Sequence, residues 1–157
     1  MAYTVYDKAK WHFDSKDFPN DILDVECGAT HIAFFLRWCI ENDFLSKTVF
    51  DDYAEEVKSI KIGNLNCRDF FMQMDGVFTS EELNTKGQKF ANAYYKSNKT
   101  KFAKQFGWYL SDYDELTFKY IKEPYTRDNW YFFFENSEEN YLLVKAVIDK
   151  RYREFLS

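Results

Sequence analysis

The chain has 157 residues, a net charge of −5, and 46% hydrophobic and 30% charged side chains, the size and balance of one globular domain. Aromatic residues reach 21% (17 Phe, 12 Tyr, 4 Trp) beside five Gly and two Pro, which excludes a collagen-like, low-complexity or disordered chain. The apolar run Ile32 to Leu36 stops at Arg37, far short of the roughly 20 residues of a membrane-spanning helix.

No apolar leader stretch follows Met1, and Cys27, Cys39 and Cys67 are too few and too scattered for a disulfide framework. The expected setting is cytoplasmic, with free thiols. Charge is uneven along the chain. Residues 1–78 carry 8 Lys/Arg against 14 Asp/Glu, and residues 79–157 carry 13 against 12. Such a field bears on partner choice and association rate.

In chain order, the spacing of Ala29, Ile32, Ala33, Leu36, Cys39 and Ile40 predicts a helix over 28–45, widened by Phe34, Phe35 and Trp38 until it is apolar nearly all round. A second helix is expected over 49–60, opened by Thr48 and Asp51. Phe50, Tyr53, Ala54, Val57 and Ile60 would face inward, and Asp52, Glu55 and Glu56 would face water. Asn66 opens a short helix over 67–73, and Asp75-Gly76 makes a turn. Thr79 to Glu82 reads as a capping box for a helix running to about Tyr95, with Gly87 on its inner face allowing close backbone approach. Asn98 caps a helix over 99–106. Thr117 to Ile121 alternates and Asn129 to Phe134 is aromatic throughout, so a small hairpin is expected near 117–134. Ser137 opens a last helix, 138–155. Loops fall at 14–21, 62–66, 74–79, 96–98 and 122–128. The expected fold is mainly α: one compact domain, 1–157, of five to six helices with a minor two-stranded β element near 117–134.

Several constellations carry possible chemistry. Cys27 and His31 share a helical face, and Cys39, His12 and Cys67 could complete four ligands, yet no close-spaced Cys pair supports a zinc site. Asp75-Gly76 with Glu82 has part of a calcium-loop pattern, but Phe71 would occupy a ligand position. Cys27 beside His31 would be the nucleophile and base of a thiol enzyme, without a nucleophile motif around them. Lys86, Lys89, Lys96, Lys99, Lys101 and Lys104 interleave with Phe90, Tyr94, Tyr95 and Phe102 in a stretch free of acids. Rings and cations together can hold single-stranded nucleic acid, but the core needs those rings, so a solvated lysine face is expected. No catalytic motif, metal or cofactor is assigned. Trp11 is expected to pack over helix 28–45; its alternative role is in a ligand pocket with His12 and His31.

Tyr6-Asp7-Lys8-Ala9-Lys10-Trp11-His12-Phe13, then Asp17-Phe18-Pro19, Ala29-Thr30-His31-Ile32, Gly87 to Tyr95 and Val147 to Tyr152 together resemble an uncharacterised bacterial domain family. The resemblance spans nearly the whole chain and brings no known site residues. By analogy of class, small acidic bacterial proteins of this kind are often immunity proteins.

The expectation is therefore a non-enzymatic, cytoplasmic protein-binding module, an immunity-type inhibitor that masks a basic toxin domain. Its partner-binding surface would comprise Asp51, Asp52, Tyr53, Glu55, Glu56, Asp21 and Asp24. The alternatives are a ligand pocket or enzyme built on His12 and His31, and a nucleic-acid binder through 86–104.

Overall fold

The computed structural model describes residues 3–16, 18–19, 25–120 and 130–157. Strand β1 (Val5–Lys8) pairs antiparallel with β2 (Val77–Thr79), with Val5 opposite Thr79, Asp7 opposite Phe78 and Lys8 opposite Val77. The register slips between Val5 and Asp7. Successive side chains of a regular strand point to opposite faces. Here Tyr6 and Asp7 are both buried, because the slip turns two consecutive side chains inward. β1 runs without a loop into α1 (Ala9–Phe13), whose first amide donates to the Gly76 carbonyl at 2.9 Å.

A 3-10 turn at Val25–Ala29 leads into α2 (Thr30–Glu41), in which every residue except Arg37 and Glu41 is buried. The expected all-round apolar helix is thus the central element, packed against α1's neighbouring turn and three later helices. The expected single helix over 49–60 is instead two, α3 (Lys47–Asp52) and α4 (Ala54–Lys61), interrupted at Tyr53 with φ −125°. Its cap is Ser46 rather than Thr48: the Ser46 hydroxyl accepts from the Val49 amide at 3.3 Å. The break rotates the first half outward. Phe50 is exposed, while Val57 and Ile60 are buried as expected.

Helix α5 (Cys67–Gln73) begins as expected at Asn66, whose side chain accepts from the Arg68 and Asp69 amides. Asp75 and Gly76 both take positive φ, 66° and 64°, and make the expected turn; Glu82 closes a capping box with Thr79 instead of facing a calcium loop. That box caps only the 3-10 turn Ser80–Glu82. Leu83 is extended, and α6 (Thr85–Tyr94) starts afresh from Asn84, whose side chain accepts from the Gly87 amide. Gly87 does permit close approach: a Cβ there would lie 2.9 Å from the Phe44 carbonyl oxygen.

Helix α7 (Lys101–Gln105) is capped by Thr100, not Asn98. Helix α8 (Tyr109–Tyr120) replaces the first strand of the expected hairpin. Its buried residues Tyr109, Tyr113 and Thr117 repeat every four positions, so core contact overrides the β propensity of the local sequence. The Thr117 hydroxyl donates to the Asp114 carbonyl one turn back. Trp130–Phe133 is a 3-10 turn, and 121–129 lies outside the described residues. Among the described residues the fold is mainly α with one two-stranded antiparallel sheet, as expected in kind, but the sheet joins β1 and β2 instead of lying near 117–134.

The aromatic surplus goes largely into the core. Around Phe35, fully buried, stand Trp38, Phe78, Phe90, Tyr94, Tyr95 and Tyr109, with ring centroids 4.9 to 6.3 Å away. Helix α9 (Glu138–Leu156) closes this core with Tyr141, Val144 and Ile148. Polar clasps hold it. The Trp38 indole donates to Asp149 at 2.8 Å, Arg37 grips Glu138 through two nitrogens, and Arg151 grips Asp112 likewise. Tyr141 donates to Glu41, and the Arg37 guanidinium lies 3.8 Å from the Tyr141 ring centroid. Among the described residues no helix is long and apolar enough to cross a membrane.

Candidate functional site

The inward turn of Asp7 at the strand slip places a carboxylate beneath α1 and α2. His12 sits near the end of α1 and His31 in the first turn of α2. The two helices approach because Gly28, just before α2, has no side chain: a Cβ there would stand 3.2 Å from the Phe13 nitrogen and 3.3 Å from the His12 Cβ. The three side chains converge. His12 Nε2 is 2.7 Å from Asp7 Oδ1, His31 Nε2 is 3.1 Å from Asp7 Oδ2, and the two Nε2 atoms are 3.1 Å apart. The imidazoles meet edge to face, at 84°.

Asp7 and His31 are almost fully buried, while the His12 side chain keeps 17% of its surface exposed. Further hydrogen bonds fix the cluster from behind. The Tyr95 hydroxyl donates to Asp7 Oδ2 at 2.6 Å, the Lys8 amide donates to Oδ1 at 2.9 Å, and the Tyr109 hydroxyl donates to the His31 carbonyl at 2.5 Å. Burial alone would raise the Asp7 carboxyl, but the hydrogen bonds and charges of His12 and His31 outweigh it and hold Asp7 well below the usual carboxylate range. Burial first, then the neighbouring His12, pushes His31 down, against the hydrogen bond and charge of Asp7. Burial first, then the Asp7 charge, pushes the Tyr95 phenol up, so Tyr95 remains a donor.

His12 and His31 line a cavity of about 500 Å³ between α1, α2, α7 and α8. Ala103, Trp108, Leu110 and Tyr131 give it apolar walls, and Asn98 and Ser111 add polar groups. The Trp108 indole is itself held, donating to the Tyr95 carbonyl at 2.8 Å. This volume falls within the usual range for small-molecule sites. Among the described residues, Asp7, His12 and His31 form the group of side chains whose ligand atoms could jointly hold a metal ion.

The structure therefore brings His12 and His31 together and adds Asp7, which the sequence offered only as one acid among many. Trp11 does not join them. It is 52% exposed, with Lys8 Nζ 5.6 Å from its ring centroid, and it is not among the cavity-lining residues. Cys27 lies in the 3-10 turn before α2, and His31 Nε2 is turned toward Asp7 and His12. Cys39 and Cys67 are buried with their thiols pushed up by burial, and neither stands in the group of described residues that could hold a metal ion.

The acidic candidates lie elsewhere. Asp51 and Asp52 are exposed at the end of α3, Tyr53 is half-buried at the break, and Glu55 and Glu56 occupy the first turn of α4, exposed and half-buried respectively. Asp51 is engaged by Lys47 at 2.5 Å. Asp21 and Asp24 lie outside the described residues. In the lysine-rich stretch Lys86, Lys89, Lys96, Lys99, Lys101 and Lys104 are all exposed, but Phe90, Tyr94 and Tyr95 are buried. Those three rings are not available to stack on bases, and Phe102 is half-buried.

A family model described as Domain of unknown function (DUF7832) matches residues 5–127, a span that contains the whole Asp7–His12–His31 cluster and most of the cavity wall. No curated protein and no solved structure matches the chain.

Proposed function

We propose that this chain, which belongs to the DUF7832 family of unknown function, is a small-molecule-binding protein whose ligand occupies the cavity beside His12 and His31. The observation that carries the reading is the combination of a cavity of about 500 Å³ with a largely buried polar cluster at its wall. Buried polar groups are costly, and a domain built only for stability would fill this position with apolar side chains. Ala103 lines the cavity from α7, so Ala103→Trp narrows it without replacing a residue of the cluster. In a fragment screen by NMR, binders should shift the Trp108 indole N–H and the His12 ring protons, and Ala103→Trp should erase those shifts. Fragments that leave both signals unmoved in the unmodified chain would end the proposal.

A second reading has its own observation. The exposed side chains of Asp51, Asp52 and Glu55 at the α3–α4 junction suit a basic protein partner, as in an immunity-type inhibitor of a toxin. Asp52→Lys with Glu55→Lys should then abolish the low-salt retention of a basic protein from host lysate. Equal retention by both chains, or none by either, rejects this reading.

A further inference from the structure

The three edges of the Asp7–His12–His31 triangle cannot all be hydrogen bonds. A carboxylate brings no proton, and a neutral imidazole brings one N–H. Were both Nε2 atoms protonated, each could donate to its own Asp7 oxygen, but two N–H donors would then lie side by side with their nitrogens 3.1 Å apart and no bond between them. Were only one protonated, the lone pair of the other would face a carboxylate oxygen at 2.7 or 3.1 Å. With Asp7 ionised, every assignment leaves one edge without a hydrogen bond, in a site where Asp7 and His31 are buried. One group satisfies all three edges together: a cation between them.

The size of the triangle agrees. Ligand atoms about 2.0–2.1 Å from a transition-metal ion, at mutual angles near 90°, stand roughly 2.9 Å apart; the two Nε2 atoms are 3.1 Å apart, Asp7 Oδ1 is 2.7 Å from His12 Nε2, and the other carboxylate oxygen, Oδ2, is 3.1 Å from His31 Nε2. Angles near 90° put the three atoms on one face of the coordination sphere and leave the opposite face open. His12 and His31 border the cavity, so it supplies the space beside the cluster for such open positions. Two imidazoles and one carboxylate suit zinc, iron, manganese or cobalt, whereas calcium and magnesium favour all-oxygen sets. The Tyr95 hydroxyl and the Lys8 amide, both donating to Asp7, orient the carboxylate in the way that outer partners orient metal ligands.

We propose that Asp7, His12 and His31 form a facial binding site for a divalent first-row transition-metal ion, with its open positions on the small-molecule cavity. The ion would carry one net positive charge after Asp7 is counted, so it would draw a ligand that presents an oxygen donor: a carboxylate, a hydroxamate or a polarised carbonyl. This deepens the proposed function and rests on it only for what fills the open positions.

The test uses the full chain, stripped with EDTA and dialysed, then titrated with Co2+ and with Zn2+. One equivalent should bind, and exchangeable imidazole N–H signals should appear outside the diamagnetic range in the Co2+ form. His12→Ala, at the more exposed of the two imidazoles, should lower affinity roughly a hundredfold or more while its circular dichroism stays that of the unmodified chain. Tyr95→Phe, which spares all three ligands, should lower it about tenfold. Absence of stoichiometric binding, or affinity unchanged in both variants, overturns the metal site.

Acetohydroxamate then probes the open positions. It should shift the visible bands of the Co2+ form, and Ala103→Trp should prevent the shift without weakening Co2+ binding. Tight Co2+ with bands unmoved by acetohydroxamate overturns the open face alone. Fragment binding without Co2+ binding rejects the metal and leaves the small-molecule reading standing.

Discussion

Asp7→Ala should destabilise the metal-free domain by about 3–5 kcal/mol, the largest effect expected of any single polar substitution here. Asp7 is 2% exposed and receives the Tyr95 hydroxyl and the Lys8 amide while facing both imidazoles. Its removal strands the Tyr95 hydroxyl and His31 Nε2, both on buried residues. For a domain of this size each kcal/mol moves the melting temperature by roughly 2–4 °C, so the midpoint should fall by about 6–20 °C. Urea unfolding with EDTA present gives the direct measurement. Tyr95→Phe, which deletes one hydrogen bond and keeps the ring, should cost only about 1–2 kcal/mol. A loss below about 1 kcal/mol for Asp7→Ala would contradict the buried-network account.

Phe35→Ala should be comparably severe, at about 3–5 kcal/mol, for a different reason. The residue is fully buried and touches six other rings. Those rings belong to α2, α6, α8, β2 and the segment after α6, and they cannot all collapse into the space left behind. Phe35→Leu, which keeps most of the volume, should cost about 1–2 kcal/mol. The damage should also reach the site. Tyr95 and Tyr109, whose centroids lie 4.9 and 5.1 Å from Phe35, are the residues that hold Asp7 and the His31 carbonyl. Phe35→Ala should therefore weaken Zn2+ binding at a distance, measured at a temperature where the variant is still folded. Unchanged affinity would show that the ring layer supports the fold without positioning the cluster.

The central helix is legible because eight apolar residues, Ile32 to Leu36 with Trp38, Cys39 and Ile40, leave little choice of face. Caps were harder, since polar candidates crowd each start: Ser46 competes with Thr48, Asn84 with Thr79, and Thr100 with Asn98. In each case the tertiary path, not the side-chain type, selects the cap that is used. Helix α8 was missed although Tyr109, Tyr113 and Thr117 already stand at helical spacing, because the alternating, aromatic character of its end pointed to a strand. His12 and His31 drew attention as the only two histidines of the chain. Asp7 did not, for two physical reasons. It is one of 26 acids, and its burial depends on a register slip in a strand that no local pattern announces. Tyr95 likewise looked like one more core ring, and its contact with Asp7 spans 88 positions.

Helix α9 also sets a schedule for synthesis. It shares no residue with the cluster, yet Val144 and Ile148 complete the core behind α2, and Arg151 ties α9 to Asp112 on α8, whose Tyr109 holds the His31 carbonyl. A nascent chain that already displays Asp7, His12 and His31 still lacks the far wall of its core. The domain can close only after translation has passed Arg151, so the aromatic interior must wait uncovered beside the ribosome, where holding chaperones meet exposed rings.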